Sequence, residues 1–372
     1  MRAWQSAKKP SMRDSVANIA LPVGALIAAL LLFGFFVWLG GVSPVETWVL
    51  LFKGAFGDWF SWQNTLQRAA PLMLTALCVA LPARAGLVII GGEGALVLGA
   101  LAAAALPYAV PVPHNIVGTV MVCVAGMLAG GAWIALAGAL RQYRGVNETI
   151  SSLLLAYTAI AIFKQLVEGP LRDPATLNKP STRSLAEGIL IGGIGGSDVH
   201  WGLVLGVIAC LGLGLWLAVT ASGFSVRVVG GNPRTAQLVG LPATRLILLA
   251  CALGGACAGL AGAVEVAAVH TNANASLIAG YGYAGILVAF IARQNPIAII
   301  PVAILFGGFG AAGSLLQRRL DLPDASVQVL QGIAFVLILA SEALRNLDWA
   351  ALGQKLKRSS GPVASASGET AA

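Results

Sequence analysis

The chain has 372 residues, of which 58% are hydrophobic and only 10% are charged. A soluble domain carries about 25% charged residues, so this composition excludes an ordinary soluble protein and indicates a polytopic membrane protein. The net charge of +8 comes from residues at the ends of the apolar segments, where basic side chains set the orientation in a membrane. Membrane lipid is therefore the expected surrounding, and nucleic acid is not expected as a partner.

Known metal and enzyme motifs are missing from the sequence. The five cysteines lie inside apolar runs, no Cys-x-x-Cys pair occurs, and the three histidines are far apart. Cysteines in such places serve as small packing residues, so we expect no metal site. There is no Gly-Lys pair and hence no Walker A motif, and neither GxSxG nor HExxH is present. The sequence predicts no enzyme activity and no cofactor bound by this chain.

The apolar segments predict an all-α polytopic membrane protein with about ten transmembrane helices. A helix needs ~20 apolar residues to cross a bilayer. The first run, 19–40, is longer than the apolar core of a signal peptide and is expected to remain as a helix. The other predicted helices are about 64–83, 86–108, 115–140, 147–167, 201–220, 246–269, 283–293, 296–316 and 326–344.

The polar stretches divide the chain into a segment 1–18, a transmembrane domain 19–345 and a tail 346–372. The tail is small and polar, and such a composition predicts disorder. When ten crossings alternate, most Lys and Arg residues fall on the side of the N-terminus. The positive-inside rule then places both termini in the cytoplasm. The pair Arg318-Arg319 is an exception to this distribution.

The run Gly91-Gly92-Glu93-Gly94 interrupts the third apolar segment near its start. Glycine costs about 1 kcal/mol in a helix relative to alanine, and a carboxylate at membrane depth costs about 2.5–3.5 kcal/mol. Interrupted hydrophobic segments of this kind occur at the solute pathway of transporters. Glu93 is therefore predicted either to contact the pathway or a gate, or to cap backbone amides that the glycine break leaves free.

A second glycine-rich break, AGYGYAG, precedes the eighth predicted helix and contains Tyr281 and Tyr283. The third and eighth helices would run through the membrane in opposite senses, which would fit an inverted repeat. Both tyrosines are therefore further pathway candidates.

Two other stretches place acids in or beside the membrane. Asn147 and Glu148 open the fifth helix, where Asn147 suits an N-cap and Glu148 suits the positive end of the helix dipole. Direct contact with solute is the alternative for both residues. Glu265 lies near the end of the seventh helix, shortly before His270. It is either a pore-lining acid or a partner of that histidine.

The segment 222–245 is the most polar internal stretch predicted on the cytoplasmic side. Asn232-Pro233 is typical of a helix cap followed by the first helical residue. A short helix over 234–239 would then end at Gly240. From the residues alone, this segment is either a simple loop or a docking element for a soluble partner.

Four blocks of this sequence resemble the permease subunits of bacterial ABC importers for nucleosides and simple sugars. They cover the chain from about 86 to 310 and are GLVIIGGEGALVLGALAAA, GVNETISSLLLAYTAIA, VVGGNPRTAQLVGLP and GYGYAGILVAFIARQNPIAIIPVAILFGG. The VNE block is more similar to the nucleoside branch of this family than to its ribose or xylose branch.

The resemblance implies a translocation subunit in the bacterial cytoplasmic (inner) membrane, which moves a nucleoside or related small polar solute into the cell. A second permease chain, identical or paralogous, would complete the membrane part, and an extracytoplasmic solute-binding protein would deliver the solute. ATP would be bound by a separate cytoplasmic ATPase. The family's coupling helix matches part of 222–245, so the resemblance implies ATPase contacts at Gly231, Asn232, Pro233, Arg234, Ala236 and Gly240.

This sequence also departs from the family pattern at positions that are often polar. Isoleucine stands where the family has Asn before the glycine run, and alanine occupies three further positions, Ala95, Ala156 and Ala284. If these side chains touch solute, the specificity is altered. Two alternatives to an ABC permease are an ion-coupled secondary transporter that uses Glu93 and Glu265, and a membrane-embedded enzyme, for which no catalytic cluster is apparent.

Overall fold

The structure is a computed structural model that describes residues 12–176, 179–323 and 325–346. Within these residues the regular structure is helical, and the only strand-like pairings are two isolated bridges. The described residues form two compact units, one made of 12–32 with 332–346 and the other made of the described part of 33–331. The predicted N-terminal segment up to Ser11 and almost all of the predicted tail lie outside the described residues.

Thirteen α-helices follow one another in the described part of the chain. They are α1 (Met12–Leu39), α2 (Pro44–Phe56), α3 (Trp59–Arg84), α4 (Gly92–Ala109), α5 (Ile116–Arg144), α6 (Glu148–Glu168), α7 (Gly202–Val219), α8 (Ala221–Gly231), α9 (Pro233–Leu238), α10 (Ala243–Val264), α11 (Tyr281–Ile291), α12 (Pro296–Leu320) and α13 (Ala325–Asn346).

The helix lengths confirm an all-α polytopic membrane protein. Seven helices of the described residues are long and apolar enough to cross a membrane, and three shorter apolar stretches cover 24–39, 275–291 and 325–341. Large apolar side chains such as Leu128 and Leu154 are exposed on these helices. Exposed leucines along a spanning helix are suited to contact lipid, because lipid tails are as apolar as leucine.

Helices α4, α5 and α10 approach one another through glycines. A Cβ atom placed on Gly259 would lie 2.0 Å from the Gly126 carbonyl oxygen, and one on Gly255 would lie 2.4 Å from the Gly130 carbonyl oxygen. Gly262 would clash in the same way with the backbone of α4. Contacts between backbones of this kind are typical of helices that associate in membranes, and they account for much of the high glycine content.

The turn after α3 differs from the sequence expectation. Gly86 adopts φ +85°, and the amides of Gly86 and Leu87 donate to the carbonyls of Ala83 and Pro82 at 3.1 and 3.0 Å. This is a Schellman cap, which needs a left-handed residue at the position of Gly86. Helix α4 therefore begins at Gly92 rather than near residue 86. Residues 87–91 lie before the helix, and Gly92, Glu93 and Gly94 belong to its first turn.

The long polar stretch between α6 and α7 is held by backbone hydrogen bonds to the segment after α10. The amides of Thr182, Leu185 and Ile191 donate to carbonyls in the 267–273 segment at 2.8–3.0 Å. Helix α10 itself continues as a single π-helical stretch, Glu265–His270. The part of this stretch between residues 182 and 191 is therefore a folded layer against the end of α10.

Candidate functional site

The two glycine-rich breaks meet in space. A Cβ atom on Gly282 would lie 2.1 Å from the Glu93 amide nitrogen and 2.6 Å from the Gly92 carbonyl carbon. Only a residue without a side chain permits this approach, so Gly282 is fixed by its contact with the start of α4. The sequence singled out both breaks separately, but their distance of nearly 190 residues along the chain concealed that they form one junction.

Glu93 caps the start of α11 at this junction. Its side chain is fully buried, and its two carboxylate oxygens accept hydrogen bonds from the amides of Gly280 at 2.9 Å and Gly282 at 2.6 Å. Gly280 is the N-cap residue of α11 and Gly282 lies in its first turn, where backbone amides have no acceptors within the helix. A carboxylate is also favourable at the positive end of a helix dipole.

The geometry favours the capping alternative for Glu93 over direct contact with solute. The residue preceding α11, Gly280, has φ +81° and no side chain of its own to act as a cap. Hydrogen bonds to a charged group contribute about 1.5–3 kcal/mol each, so the two bonds offset much of the cost of burying this carboxylate. The capped amides are those of the other break, however, and not the amides freed by the break that contains Glu93.

The two tyrosines of the second break differ in their surroundings. Tyr281 is partly buried, and its carbonyl accepts a hydrogen bond from the Thr75 hydroxyl at 3.0 Å. Tyr283 is 38% exposed on the surface of this chain. Of the pathway candidates at the junction, Tyr283 thus has the side chain that is most exposed on the surface of this chain. Thr75 is a contact that the sequence pattern gave no reason to select.

Asn147 and Glu148 begin α6 as predicted. The Asn147 side chain accepts from the amides of Thr149 at 3.0 Å and Ile150 at 3.1 Å, which makes it the N-cap. Glu148 pairs with Arg141 at the end of α5, with 3.2 Å between Oε2 and Nε. Both polar side chains are therefore engaged in closing the turn between α5 and α6.

The start of α6 also supports the connection that leads to Glu93. The Thr149 hydroxyl donates to the Val88 carbonyl at 3.0 Å, and the Ile90 amide donates to the Ser152 hydroxyl at 3.0 Å. Residues 87–91 have no helical hydrogen-bond ladder of their own. The polar residues of the VNETISS stretch replace part of that ladder and thereby position the first turn of α4.

Glu265 takes no part in this capping contact and has a different partner. It is 4% exposed and begins the π-helical stretch after α10. One carboxylate oxygen is 3.7 Å from Nε2 of His270, which agrees with the predicted partnership of the two residues. The structure gives Glu93 and Glu265 separate partners.

The alanines that depart from the family pattern occupy different environments. Ala95 and Ala156 are fully buried within this chain, and a Cβ atom on Gly94 would lie 2.7 Å from the Cα atom of Ala156. Ala156 thus serves the packing of α4 against α6, whereas Ala95 belongs to an apolar cluster that also contains Cys78 of α3, Ile134 of α5 and Ala258 of α10. Ala284, in the first turn of α11, is only partly buried.

The predicted docking segment forms two short helices, α8 and α9. The Asn232 side chain between them accepts from the amides of Arg234 at 3.0 Å and Thr235 at 3.1 Å, and Pro233 is the first residue of α9. Gly240 follows with φ +82°, a left-handed conformation that glycine adopts without strain. The predicted cap at Asn232 and the first helical position at Pro233 are confirmed, and the helix ends at Leu238, one residue earlier than predicted.

A single side chain of α9 is anchored in the protein. Ala236 is fully buried and belongs to an apolar cluster that also contains Val226 and Val229 of α8 and Ile247 of α10. By contrast Gly231, Asn232, Pro233, Arg234 and Gly240 are exposed. Helix α9 is thus held at one point and presents its remaining side chains outward.

Two apolar residues at the end of α9 complete the outward surface. Leu238 is 87% exposed and Val239 is 68% exposed. Neither residue was predicted from the sequence, although two apolar residues in an otherwise polar segment were the available signal. An exposed apolar pair beside a basic side chain, Arg234, is a composition suited to protein contact, because the hydrophobic residues lose water on binding.

Comparison with known proteins supports one assignment. Residues 61–339 match the family model described as the permease component of the branched-chain amino acid transport system. The chain is 30% identical to the glucose ABC transporter permease protein TsgB13 of Haloferax volcanii, over 86% of this chain and 87% of that protein. It is 26% identical to the guanosine ABC transporter permease protein NupP of Bacillus subtilis, over 90% of this chain and 97% of that protein.

A third relative is the nucleoside ABC transporter permease protein NupB of Lactococcus lactis, which is 25% identical over 79% of this chain and 84% of that protein. The match to the family model covers α3 through most of α13 and includes both glycine breaks and the α8–α9 segment. Membership of this family implies association with an ATPase and with a solute-binding protein. The chain belongs to this ABC permease family, and it is the membrane-translocation subunit of an ABC importer.

Proposed function

We propose that the segment 222–245, with α9 at its tip, is the docking element for the cytoplasmic ATPase. One observation carries this proposal: α9 has a capped, well-defined backbone, yet Ala236 is its single buried side chain. A helix that is already formed and presents Arg234, Leu238 and Val239 outward is preorganised for a partner, and preorganisation reduces the cost of binding.

The orientation follows from this assignment. The side of the membrane that holds α8 and α9 is the cytoplasmic side, and both termini lie there because most Lys and Arg residues share it. The folded layer 182–191 then faces the outside, where the solute-binding protein docks. A second permease chain, identical or paralogous, completes the translocation path. ATP is bound by the ATPase and not by this chain, which has no Walker A motif.

We propose a nucleoside as the solute class. The VNE block supports it, and relatives that cover most of this chain are named as guanosine and nucleoside permeases. A monosaccharide is the second candidate, because a glucose permease of Haloferax volcanii is 30% identical. Both classes present a hydroxyl-bearing ring. The buried alanines Ala95 and Ala156 do not argue against either class, since neither side chain is placed to touch solute.

The docking assignment is tested by co-purification. Arg234→Glu, or deletion of residues 231–239, is expected to leave membrane insertion intact and to abolish retention of the ATPase of the same importer. The matched control is Arg319→Glu, since Arg319 is exposed at the end of α12. Retention of the ATPase by the Arg234→Glu protein at the wild-type ratio would refute the assignment.

The solute class is tested on the binding protein of the same importer. Its affinities for a panel of nucleosides and monosaccharides are measured by calorimetry, and uptake by the complete importer is then followed with the tightest ligand. Nucleosides are expected to bind at least ~10-fold more tightly than monosaccharides, a difference of about 1.4 kcal/mol. A preference for monosaccharides would replace the first proposal by the second.

A further inference from the structure

The short helix α11 is held at both of its ends by the connection between α3 and α4. Its eleven residues are too few to cross a bilayer, which needs about 17–25 residues. Its terminal backbone groups therefore need partners within the protein. At the N-terminal end, the carboxylate of Glu93 accepts hydrogen bonds from the amides of Gly280 and Gly282.

Arg84 serves the opposite end of the same helix. Its Nε donates to the Gln294 carbonyl at 2.9 Å, and its Nη2 lies 3.5 Å from the Arg293 carbonyl oxygen. Arg293 and Gln294 follow α11 with φ +53° and +57°, a left-handed conformation that is strained for residues other than glycine. The guanidinium thus stabilises two carbonyls that this irregular turn leaves exposed.

The two charges have the signs that a helix dipole favours. A carboxylate lies at the amide end of α11, and a guanidinium lies at its carbonyl end. Arg84 and Glu93 flank residues 85–91, which form the connection between α3 and α4. The two side chains that bond the ends of α11 therefore lie on either side of one short connection, residues 85–91.

The same connection contacts the proposed docking segment. A Cβ atom on Gly230, near the end of α8, would lie 2.1 Å from the Arg84 carbonyl oxygen. One on Gly86 would lie 3.2 Å from the Gly230 carbonyl oxygen. Backbone touches backbone here with no flexible side chain between them. Helix α8 then passes directly through Asn232 into α9.

We propose that Arg84 and Glu93 are positioning residues that couple α11 to the docking segment. When the ATPase displaces α9, the contact at Gly230 moves the 85–91 connection. Because Arg84 and Glu93 bond the two ends of α11, α11 then moves together with this connection. Tyr283, the accessible residue of the second break, moves with α11. The proposal rests on the proposed contact between α9 and the ATPase.

If Arg84 served only to stabilise its own helix, its guanidinium would be expected to bond the carbonyls at the end of α3. The carbonyls at the end of its own helix, α3, are already satisfied by the Schellman cap at Gly86. The guanidinium instead reaches a turn about 210 residues further along the chain. That choice of partner links two elements and adds nothing to the cap of α3.

The test compares solute uptake with ATP hydrolysis in proteoliposomes that contain the complete importer and its binding protein. The variants are Arg84→Gln, Glu93→Gln and the double variant, with Arg319→Gln as the control. In each single variant, the solute moved per ATP hydrolysed is expected to fall about 5-fold or more, the lower range of a coupling free energy. The double variant is expected to resemble the weaker-coupled single variant, because either loss releases α11.

The conservative variant Arg84→Lys allows a second comparison of coupling. A lysine can still donate to one carbonyl, so this variant is expected to retain more coupling than Arg84→Gln at equal thermal stability. If Glu93→Gln does not accumulate in the membrane, the two variants at residue 84, Arg84→Gln and Arg84→Lys, decide the question. The proposal is overturned if the solute moved per ATP hydrolysed is unchanged, which includes a proportional fall of uptake and hydrolysis. It is also overturned if the effects of the two single variants multiply in the double variant.

Failure of the docking assignment has a separate signature. ATPase retention is measured in the same preparations, and the proposal predicts that Arg84→Gln and Glu93→Gln retain the ATPase at the wild-type ratio. Retention by Arg234→Glu refutes the docking assignment, whereas full coupling in Arg84→Gln with the ATPase retained refutes the proposed coupling through Arg84 and Glu93.

Discussion

The junction around Glu93 and the docking segment around α9 are both built from glycine and polar residues, but they use them in opposite ways. At the junction, Gly282 lets two backbones touch, and Glu93 is buried with both oxygens bonded. At α9, Asn232 and Gly240 shape a surface helix whose side chains face outward. The same residue types therefore serve internal closure in one region and external contact in the other. Burial, and not composition, distinguishes the two roles.

The largest expected effect comes from filling the junction. In Gly282→Ala the new methyl group would lie 2.1 Å from the Glu93 amide nitrogen, and neither backbone can yield without breaking the cap of α11. We expect the yield of folded protein and the uptake to fall to background. Gly212→Ala is the control, because Gly212 is helical and has nothing within 4 Å of its ideal Cβ position. Normal yield and uptake for the Gly282 variant would show that the breaks do not meet.

The next effect concerns the cap itself. Glu93→Ala removes both acceptors and leaves two amides of α11 unpaired, at a cost of about 1.5–3 kcal/mol per bond. Glu93→Gln keeps one acceptor oxygen. Melting temperature and uptake are expected to decrease in the order wild type, Gln, Ala, and Glu93→Ala is expected to impair uptake more than Glu265→Ala. Equal uptake by the Glu93→Ala protein at matched expression would remove Glu93 from the mechanism.

A smaller effect is expected at the docking segment. Leu238→Ala deletes the most exposed apolar side chain of α9 without disturbing its Ala236 anchor. Affinity for the ATPase is expected to fall by about 1–2 kcal/mol, a factor of about 5–30, while the melting temperature of the isolated permease stays unchanged. Titration of the ATPase onto the reconstituted permease measures this affinity. Val110→Ala, an equivalent truncation in the turn after α4, serves as the control and should have no effect.

The smallest expected effect is a pH dependence of stability at His200. This residue lies outside the seven spanning helices and is 3% exposed, and burial lowers the pKa of its imidazole below the usual 6.5. The unfolded chain therefore binds a proton more readily than the folded one as the pH falls below about 6.5. The contribution of the neutral His200 ring to the free energy of unfolding is therefore fully present above pH 6.5 and is lost progressively below it.

The measurement is the melting temperature in detergent at pH 7.5 and pH 5.5. The difference between the two values is expected to shrink in His200→Leu and to stay the same in His114→Leu, where the exposed His114 serves as the control. An unchanged pH difference in the His200 variant would contradict the assignment of the effect to this buried ring.

The local features of the fold followed from the sequence because they depend on neighbours in the chain. Apolar length predicted the spanning helices, and the Asn-Pro and Asn-Glu pairs predicted the caps at Asn232 and Asn147. The secondary-transporter alternative would have used Glu93 and Glu265 for ion coupling. The structure gives them different partners, and the family match assigns the chain to ABC permeases.

The long-range features did not follow from the sequence, because their partners are distant in the chain. Glu93 caps a helix that starts 188 residues later, and Arg84 bonds a turn about 210 residues away. No periodicity or spacing encodes such a pair. Burial of Ala95 and Ala156 was equally hidden, since alanine is common both in helix interfaces and on path-lining faces.

Site-specific photocrosslinking can detect the proposed contact between the outward face of α9 and the ATPase without relying on a change in activity. A benzophenone amino acid is placed at Leu238 and, as the comparison, at Leu128, which is 69% exposed on the spanning helix α5. In the assembled importer, irradiation is expected to yield a covalent adduct with the ATPase from position 238 and none from position 128. Absence of the adduct at position 238, or equal adducts at both positions, would contradict the account.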